Sequence, residues 1–131
     1  MIVIDASVLA NVVGDDGSDG QQARQEFRNA GTVAAPDLAD VETVAVLRKR
    51  WISGAVSAQR FSEAVDDLAE LDLDRYPTLR LMRRAYELRA NVTAYDSAYV
   101  ALAEALSCEL LTGDGRLAKA AGPRCAIRVL G

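Results

Sequence analysis

Four acidic side chains fall where the surrounding sequence makes a carboxylate hard to accommodate. Asp5 ends the apolar run Ile2-Val3-Ile4, and Asp114 follows Leu110-Leu111-Thr112 within Thr112-Gly113-Asp114-Gly115. Glu42 has Leu38, Ala39, Ala45 and Val46 three and four positions away, and Asp96 has Val92, Tyr99 and Val100, with Ala103 one turn further on. On helices these spacings place both acids on apolar stripes. An ionised carboxylate buried without a partner is costly, so each must be protonated, paired or bound to a cation. Packed together, such carboxylates repel and raise one another's pKa, and a hard divalent ion is their natural neutraliser. Oxygen-only ligands select Mg²⁺ or Mn²⁺ over zinc, and such an ion activates water and stabilises charge during phosphate transfer. Ser7 and Thr112 stand close in sequence to Asp5 and Asp114 as hydroxyls able to position these carboxylates.

Each acid taken alone also has an ordinary structural explanation. Asp5 can cap the helix that follows it, and Glu42 can pair with an arginine in the core. Asp96 can stabilise a first helical turn through the dipole, and Asp114 can be a turn residue between two glycines. Composition narrows the chemistry that remains. With no histidine, imidazole acid–base pairs, Ser-His-Asp triads and His-ligated zinc are excluded. Two cysteines are too few for an all-cysteine zinc site or a disulfide-rich scaffold. Cys108 and Cys125 just precede two expected strands, at the sheet end opposite the acids. A disulfide between them is sterically open, although a reducing setting favours free thiols.

The patterning around these residues predicts strands alternating with helices. Ile2-Val3-Ile4 reads as a buried parallel strand and Ser7 to Val12 as a helix. A turn over Gly14 to Ser18 follows, with Ser18 or Asp19 capping a helix that carries Ala23, Phe27 and Ala30. Thr32 to Ala35 is a second strand, and Pro36 opens a helix from Asp37 to about Trp51. Ser57 caps another through Leu71, with Phe61, Val65, Leu68 and Leu71 at helical spacing. Leu73 to Tyr76 is a weaker third strand. Pro77 starts a helix with Leu79, Met82 and Tyr86 on one stripe and Arg80, Arg83 and Arg84 on a solvated face. Thr93 or Ala94 begins a helix through Ser107, and Glu109 to Thr112 and Ala126 to Leu130 are the last strands. The alternation predicts an α/β sandwich with a mostly parallel sheet of four to five strands, whose sites gather at the strands' carboxyl ends.

A chain of 131 residues is about one domain's worth of sequence, so residues 1–131 are expected to form a single domain. The start lacks a basic leader, and no apolar run approaches the roughly 18–20 residues that span a bilayer. A soluble, cytoplasmic protein is the expectation. The net charge of −4 argues against coating nucleic acid by bulk electrostatics but leaves local basic patches open.

Four fragments carry a resemblance that covers nearly the whole chain. They are Met1-Ile2-Val3-Ile4-Asp5-Ala6-Ser7-Val8, Pro36-Asp37-Leu38-Ala39-Asp40-Val41-Glu42, Thr93-Ala94-Tyr95-Asp96-Ser97-Ala98-Tyr99-Val100-Ala101-Leu102-Ala103 and Leu110-Leu111-Thr112-Gly113-Asp114-Gly115-Arg116-Leu117. In this order they resemble the acid motifs of the PIN-domain ribonucleases, in particular the VapC-type toxins of bacterial toxin–antitoxin pairs. The resemblance implies a PIN-like α/β/α sandwich and cleavage of single-stranded or loop RNA, dependent on Mg²⁺ or Mn²⁺, leaving a 5′-phosphate and a 3′-hydroxyl. It implies that Asp5, Asp96 and Asp114 hold metal, with Glu42 as a further ligand or as the group that orients and deprotonates the attacking water. It also implies a homodimer neutralised by a cognate VapB-type antitoxin. Arg116 and Lys119, and beyond them Arg48, Lys49 and Arg50, are candidates to steer RNA. Asp37 and Asp40 compete with Glu42 as acids but fall on other helical faces.

Two readings of other classes remain. A phospho-receiver signalling domain also has an acidic Mg²⁺ pocket, but it needs an acidic pair after the first strand, an Asp after the third and a late-strand Lys. Here only Asp5 follows the first strand, and Lys119 is misplaced. A catalytically silent PIN-like module would use the acids only to dock a basic peptide. A haloacid-dehalogenase-like phosphatase would need a second Asp where this chain has Ser7.

Overall fold

Ile2, Val3 and Ile4 are all buried and form β1 (Ile2–Ile4). A strand covered on both faces tolerates such an unbroken apolar run. In the computed structural model, which describes residues 1–131, β1 is the middle of a five-stranded sheet. On one side it pairs with β2 (Val33–Pro36), which pairs in turn with the edge strand β3 (Asp74–Tyr76). On the other side lie β4 (Glu109–Thr112) and then β5 (Ile127–Val129). Every pairing is parallel and the order is β3-β2-β1-β4-β5. The chain builds outward from β1 in one direction, then returns to build in the other. The crevice beyond the carboxyl ends of β1 and β4 is therefore the topological switch point, where open parallel sheets bind their ligands.

Helices join the strands. α1 (Ala6–Gly14) packs with α2 (Ser18–Asn29), α3 (Leu38–Ile52) and α4 (Ala58–Glu70). A 3₁₀ turn (Thr78–Leu81), α5 (Met82–Glu87) and α6 (Ala94–Ala105) form a second group, in which α6 lies across β1, β2 and β4. The short α7 (Gly115–Lys119) follows β4. Residues from both groups and from the sheet share one apolar cluster, with Leu9, Leu47, Tyr99, Leu102 and Leu110 almost wholly buried. The α/β alternation and parallel sheet match the sequence expectation, and no helix is long and apolar enough to cross a membrane.

Several local expectations are corrected. Pro36 closes β2 instead of opening a helix: it pairs with Tyr76, and the Asp37 N–H after it donates to the Tyr76 carbonyl at 2.8 Å, so the helix begins at Leu38. Gly17, not Ser18 or Asp19, is the N-cap of α2; the acceptor is the Asp15 carboxylate, which takes the Gly17 and Gly20 N–H groups at 2.8 and 3.1 Å. Of the stripe Leu79, Met82 and Tyr86, only Met82 packs against the core. The 3₁₀ turn shifts the helical phase, so Leu81, Ala85 and Leu88 are buried while Leu79 is 84% exposed. Arg84 likewise leaves the solvated face to bind Glu104 at 2.8 Å and the Gly122 carbonyl at 3.0 Å. Cys108 and Cys125 are both free thiols, the state already favoured over a disulfide.

Candidate active site

Asp5 leaves β1 directly into α1 and caps it, accepting the Val8 N–H on Oδ1 at 3.1 Å. The Ser7 hydroxyl donates to the same oxygen at 2.6 Å, and the Thr112 hydroxyl, from the end of β4, donates to Oδ2. These hydroxyls also receive the next backbone groups: the Asp114 N–H bonds Thr112 Oγ1 at 3.0 Å, and the Gly113 N–H bonds Ser7 Oγ at 3.2 Å. A Cβ at position 113 would stand 3.1 Å from Ser7 Oγ, so glycine lets the two loops approach this closely. Ser7 and Thr112 thus tie the exits of β1 and β4 together around one carboxylate.

Asp5 is only 7% exposed, and burial pushes its carboxyl above the ordinary range against the opposing hydrogen bonds from Ser7 and Thr112. Glu42 projects from α3 and accepts the Tyr99 phenol on Oε1 at 2.6 Å. Burial raises its carboxyl too, the Tyr99 bond opposes this, and the charges of Asp96 and Asp5 add to the rise. Asp96 stands in the first turn of α6, where its N–H donates to the capping Thr93 hydroxyl at 3.1 Å. Burial and the charges of Asp5 and Asp114 push it upward as well. Asp114 caps α7, accepting the Arg116 N–H at 2.9 Å.

The structure therefore brings Asp5, Glu42, Asp96 and Asp114 to the walls of one recess of about 300 Å³, together with Ser7 and Lys49. The arginine pairing suggested for Glu42 is absent: none of Asp5, Glu42 and Asp96 has an ion-pair partner. Asp114 has only Arg116, at 3.5 Å and with a side chain 94% exposed. Cap, first turn and charged wall coexist in the same residues. No three of the carboxylates stand as close as a formed metal-ligand group requires. The donor set nevertheless fits a hard cation, being oxygen-only, desolvated and short of positive charge.

The stripe expected around Glu42 is only partly apolar, and the remaining candidates lie outside the recess. Glu42 lies half-buried on the shoulder of α3, whose buried stripe is Ala39, Thr43 and Leu47, while Ala45 is exposed. Asp37 is held by Thr78 and Asp40 by Arg75, away from the recess. Arg50 turns to Asn11 at 2.8 Å and lines a different cleft. Arg48 and Lys119 are exposed and do not line the recess. Sequence spacing gives Tyr99 only as an apolar neighbour of Asp96, and its position three residues further on is the sign that it shares that face.

The PIN domain profile matches residues 2–123. The chain belongs to the PIN-domain family. It is 39% identical over 130 residues to ribonuclease VapC9 of Mycobacterium tuberculosis, covering 99% of this chain and 98% of that protein. It is 38% identical over 129 residues to ribonuclease VapC1 of the same species, covering 98% and 96%. Among solved structures, VapBC2 from Rickettsia felis, bound to a DNA fragment from their promoter, has a chain that superposes with a TM-score of 0.72 at 12% identity over the whole of both chains. Mycobacterium tuberculosis VapC20, described as a sarcin-ricin loop cleaving toxin, superposes with a TM-score of 0.71 at 14% identity, covering 91% of this chain and 94% of that one. At such identities the agreement speaks for the architecture, the α/β/α sandwich of the PIN fold.

Proposed function

We propose that this chain is the toxin endoribonuclease of a toxin–antitoxin pair, hydrolysing RNA phosphodiester bonds with Mg²⁺ or Mn²⁺ and leaving 5′-phosphate and 3′-hydroxyl ends. The observation that carries this reading is the recess itself. Four carboxylates from separate elements face it, and three of them have no cationic partner. Full-length relatives that are named ribonucleases support the same activity.

Asp5, Asp96 and Asp114 would hold the ion, with Glu42 as a fourth ligand or as the acceptor of the attacking water's proton. When bound, a divalent ion supplies activation of water and neutralisation of charge at the phosphoryl and leaving oxygens. Because Mg²⁺ usually keeps several waters and takes one or two carboxylates directly, the remaining acids of the set would act on the ion through its waters. Ser7 and Thr112 fix Asp5, whose oxygens would otherwise turn away from neighbouring charges. Lys49, an exposed residue on the wall of the recess, and Arg116, at its edge, are the cations placed to meet an RNA phosphate. Lys119 can add only longer-range attraction.

The whole of residues 1–131 acts as one domain in this reading, supported by a sheet that draws strands from both ends of the chain. A cognate VapB-type antitoxin, a homodimeric assembly and a cytoplasmic location accompany it, by likeness to the VapC relatives. The receiver alternative fits poorly: such domains order their strands 2-1-3-4-5, whereas here β3 is an edge strand ending at Tyr76 with Pro77 after it.

The test uses purified chain freed of antitoxin and an end-labelled RNA. Cleavage should require Mg²⁺ or Mn²⁺ and stop with EDTA. Asp5→Asn and Asp96→Asn should each lower the rate at least about 100-fold, since metal-assisted charge stabilisation contributes several kcal/mol. Neither should melt far below the parent, because an amide at position 5 keeps a carbonyl acceptor for the Val8 N–H and Asp96 joins the Thr93 cap through its backbone N–H. Undiminished cleavage by either variant would rule the assignment out, and antitoxin binding without any hydrolysis would leave the silent module standing.

A further inference from the structure

Tyr99 is less than 2% exposed and heads the fully buried side chains of the fold by volume. Its ring is gripped by the core beneath α6, so packing holds the phenol oxygen in place. That hydroxyl donates to Glu42 Oε1 at 2.6 Å across 57 residues of sequence. It is the only side chain or backbone group that donates to Glu42, and Oε2 has no protein donor. Glu42 in turn has no cation to restrain it and faces the like charges of Asp96 and Asp5. A glutamate on a half-buried shoulder, repelled from inside the recess, would gain hydration and rotamer freedom by swinging outward. The phenol opposes that swing.

Hydrophobic packing alone does not require the hydroxyl, since phenylalanine would fill the same core space and carry no polar atom to satisfy. Asp96 and Tyr99 are three residues apart and share one face of α6. One helix thus presents both a carboxylate and the group that restrains the carboxylate of α3.

We propose that Tyr99 is a positioning residue for RNA cleavage: its phenol commits Glu42 Oε1 and holds the side chain in the recess with Oε2 free to serve the ion or the attacking water. The proposal rests on the nuclease reading above and assigns within it a role to a residue outside the acid set. Fixing a group before reaction removes a reorganisation cost from the chemical step. Partners that orient a metal's ligands typically change affinity or activity by about 10–100-fold when removed.

The decisive experiment is a double-mutant cycle with two readouts. Mn²⁺ affinity is measured without RNA, from the electron paramagnetic resonance of free Mn²⁺, and kcat and KM are measured on an RNA oligonucleotide. Tyr99→Phe should weaken Mn²⁺ binding and lower kcat about 10-fold each, with KM for RNA unchanged. In a Glu42→Gln background, where there is no carboxylate left to position, Tyr99→Phe should change neither quantity. A general packing defect would instead carry through both backgrounds equally, and that result would overturn the proposal. So would a Tyr99→Phe protein that binds Mn²⁺ and cleaves RNA like its parent, which would leave the nuclease reading intact. A parent protein that neither binds Mn²⁺ nor cuts RNA would bring down both.

Discussion

Asp5 shows how a single side chain can satisfy local structure and still be held for chemistry. It caps α1 through the Val8 N–H, and the same carboxylate lies 7% exposed among other acids with no cationic partner. Capping and metal binding use different lone pairs, so neither excludes the other. Lys49 is the complementary case, a lone ammonium in an acid-lined recess. If it meets RNA phosphate, Lys49→Ala in an Asp96→Asn background should weaken RNA binding across sequences. It should also reduce the slope of log affinity against log salt by about 0.7, the value for one single-strand phosphate contact. Fluorescence anisotropy at several salt concentrations measures both, and an unchanged slope would remove Lys49 from the interface.

The connection between α1 and α2 depends on backbone approach more than on side-chain burial. Asp15 accepts two amides there, and Arg24 donates to the Asn11, Val12 and Asp15 carbonyls. A Cβ on Gly20 would fall 1.8 Å from the Asp15 carbonyl oxygen, a clash with backbone that no rotamer relieves. Gly20→Ala should therefore cost at least roughly 1–3 kcal/mol of stability, read from urea unfolding. A variant as stable as the parent would show that this corner can reshape freely. The segment from Pro77 teaches the opposite lesson about periodicity. Its apolar spacing is real, but three-residue turns over Thr78–Leu81 rotate the face that meets the core, so counting at helical spacing selects Leu79 and misses Leu81.

At the scale of the molecule, the recess makes folding sensitive to pH and to divalent ions together. Burial, with mutual repulsion at Glu42 and Asp96, raises the carboxyls of Asp5, Glu42 and Asp96 above their ordinary 3.8 and 4.5. From those ordinary values upward to the raised ones, the folded chain binds more protons than the unfolded chain. Stability of ion-free protein must then fall as pH rises through that window. Carboxyls held low by arginine, such as Glu104 beside Arg84, oppose this only near their ordinary 4.5, where the unfolded chain still holds part of their protons, and drop out at higher pH. The melting temperature of EDTA-treated protein should decline with rising pH once the ordinary carboxyls of the unfolded chain have ionised, and Asp5→Asn should flatten the decline. Mn²⁺ should raise the melting temperature near pH 7 and have little effect near pH 4.5, because it binds the ionised, folded site. Scanning calorimetry across pH checks this, and a Mn²⁺ effect of equal size at both values would count against the carboxylates as its site.

Local patterning was sufficient to reveal the β/α alternation, the parallel sheet and the four acids, because strand and helix periods and residue polarity are short-range properties written into neighbouring positions. It could not show which acids meet. That followed from the order β3-β2-β1-β4-β5, which sets β1 beside β4 and lets Thr112 reach Asp5 across 107 residues. Nor could it separate Glu42 from an arginine-paired core glutamate, or Tyr99 from ordinary packing. Those distinctions depend on strand register and on which buried donor happens to face which acceptor, and only the assembled helices and sheet determine that.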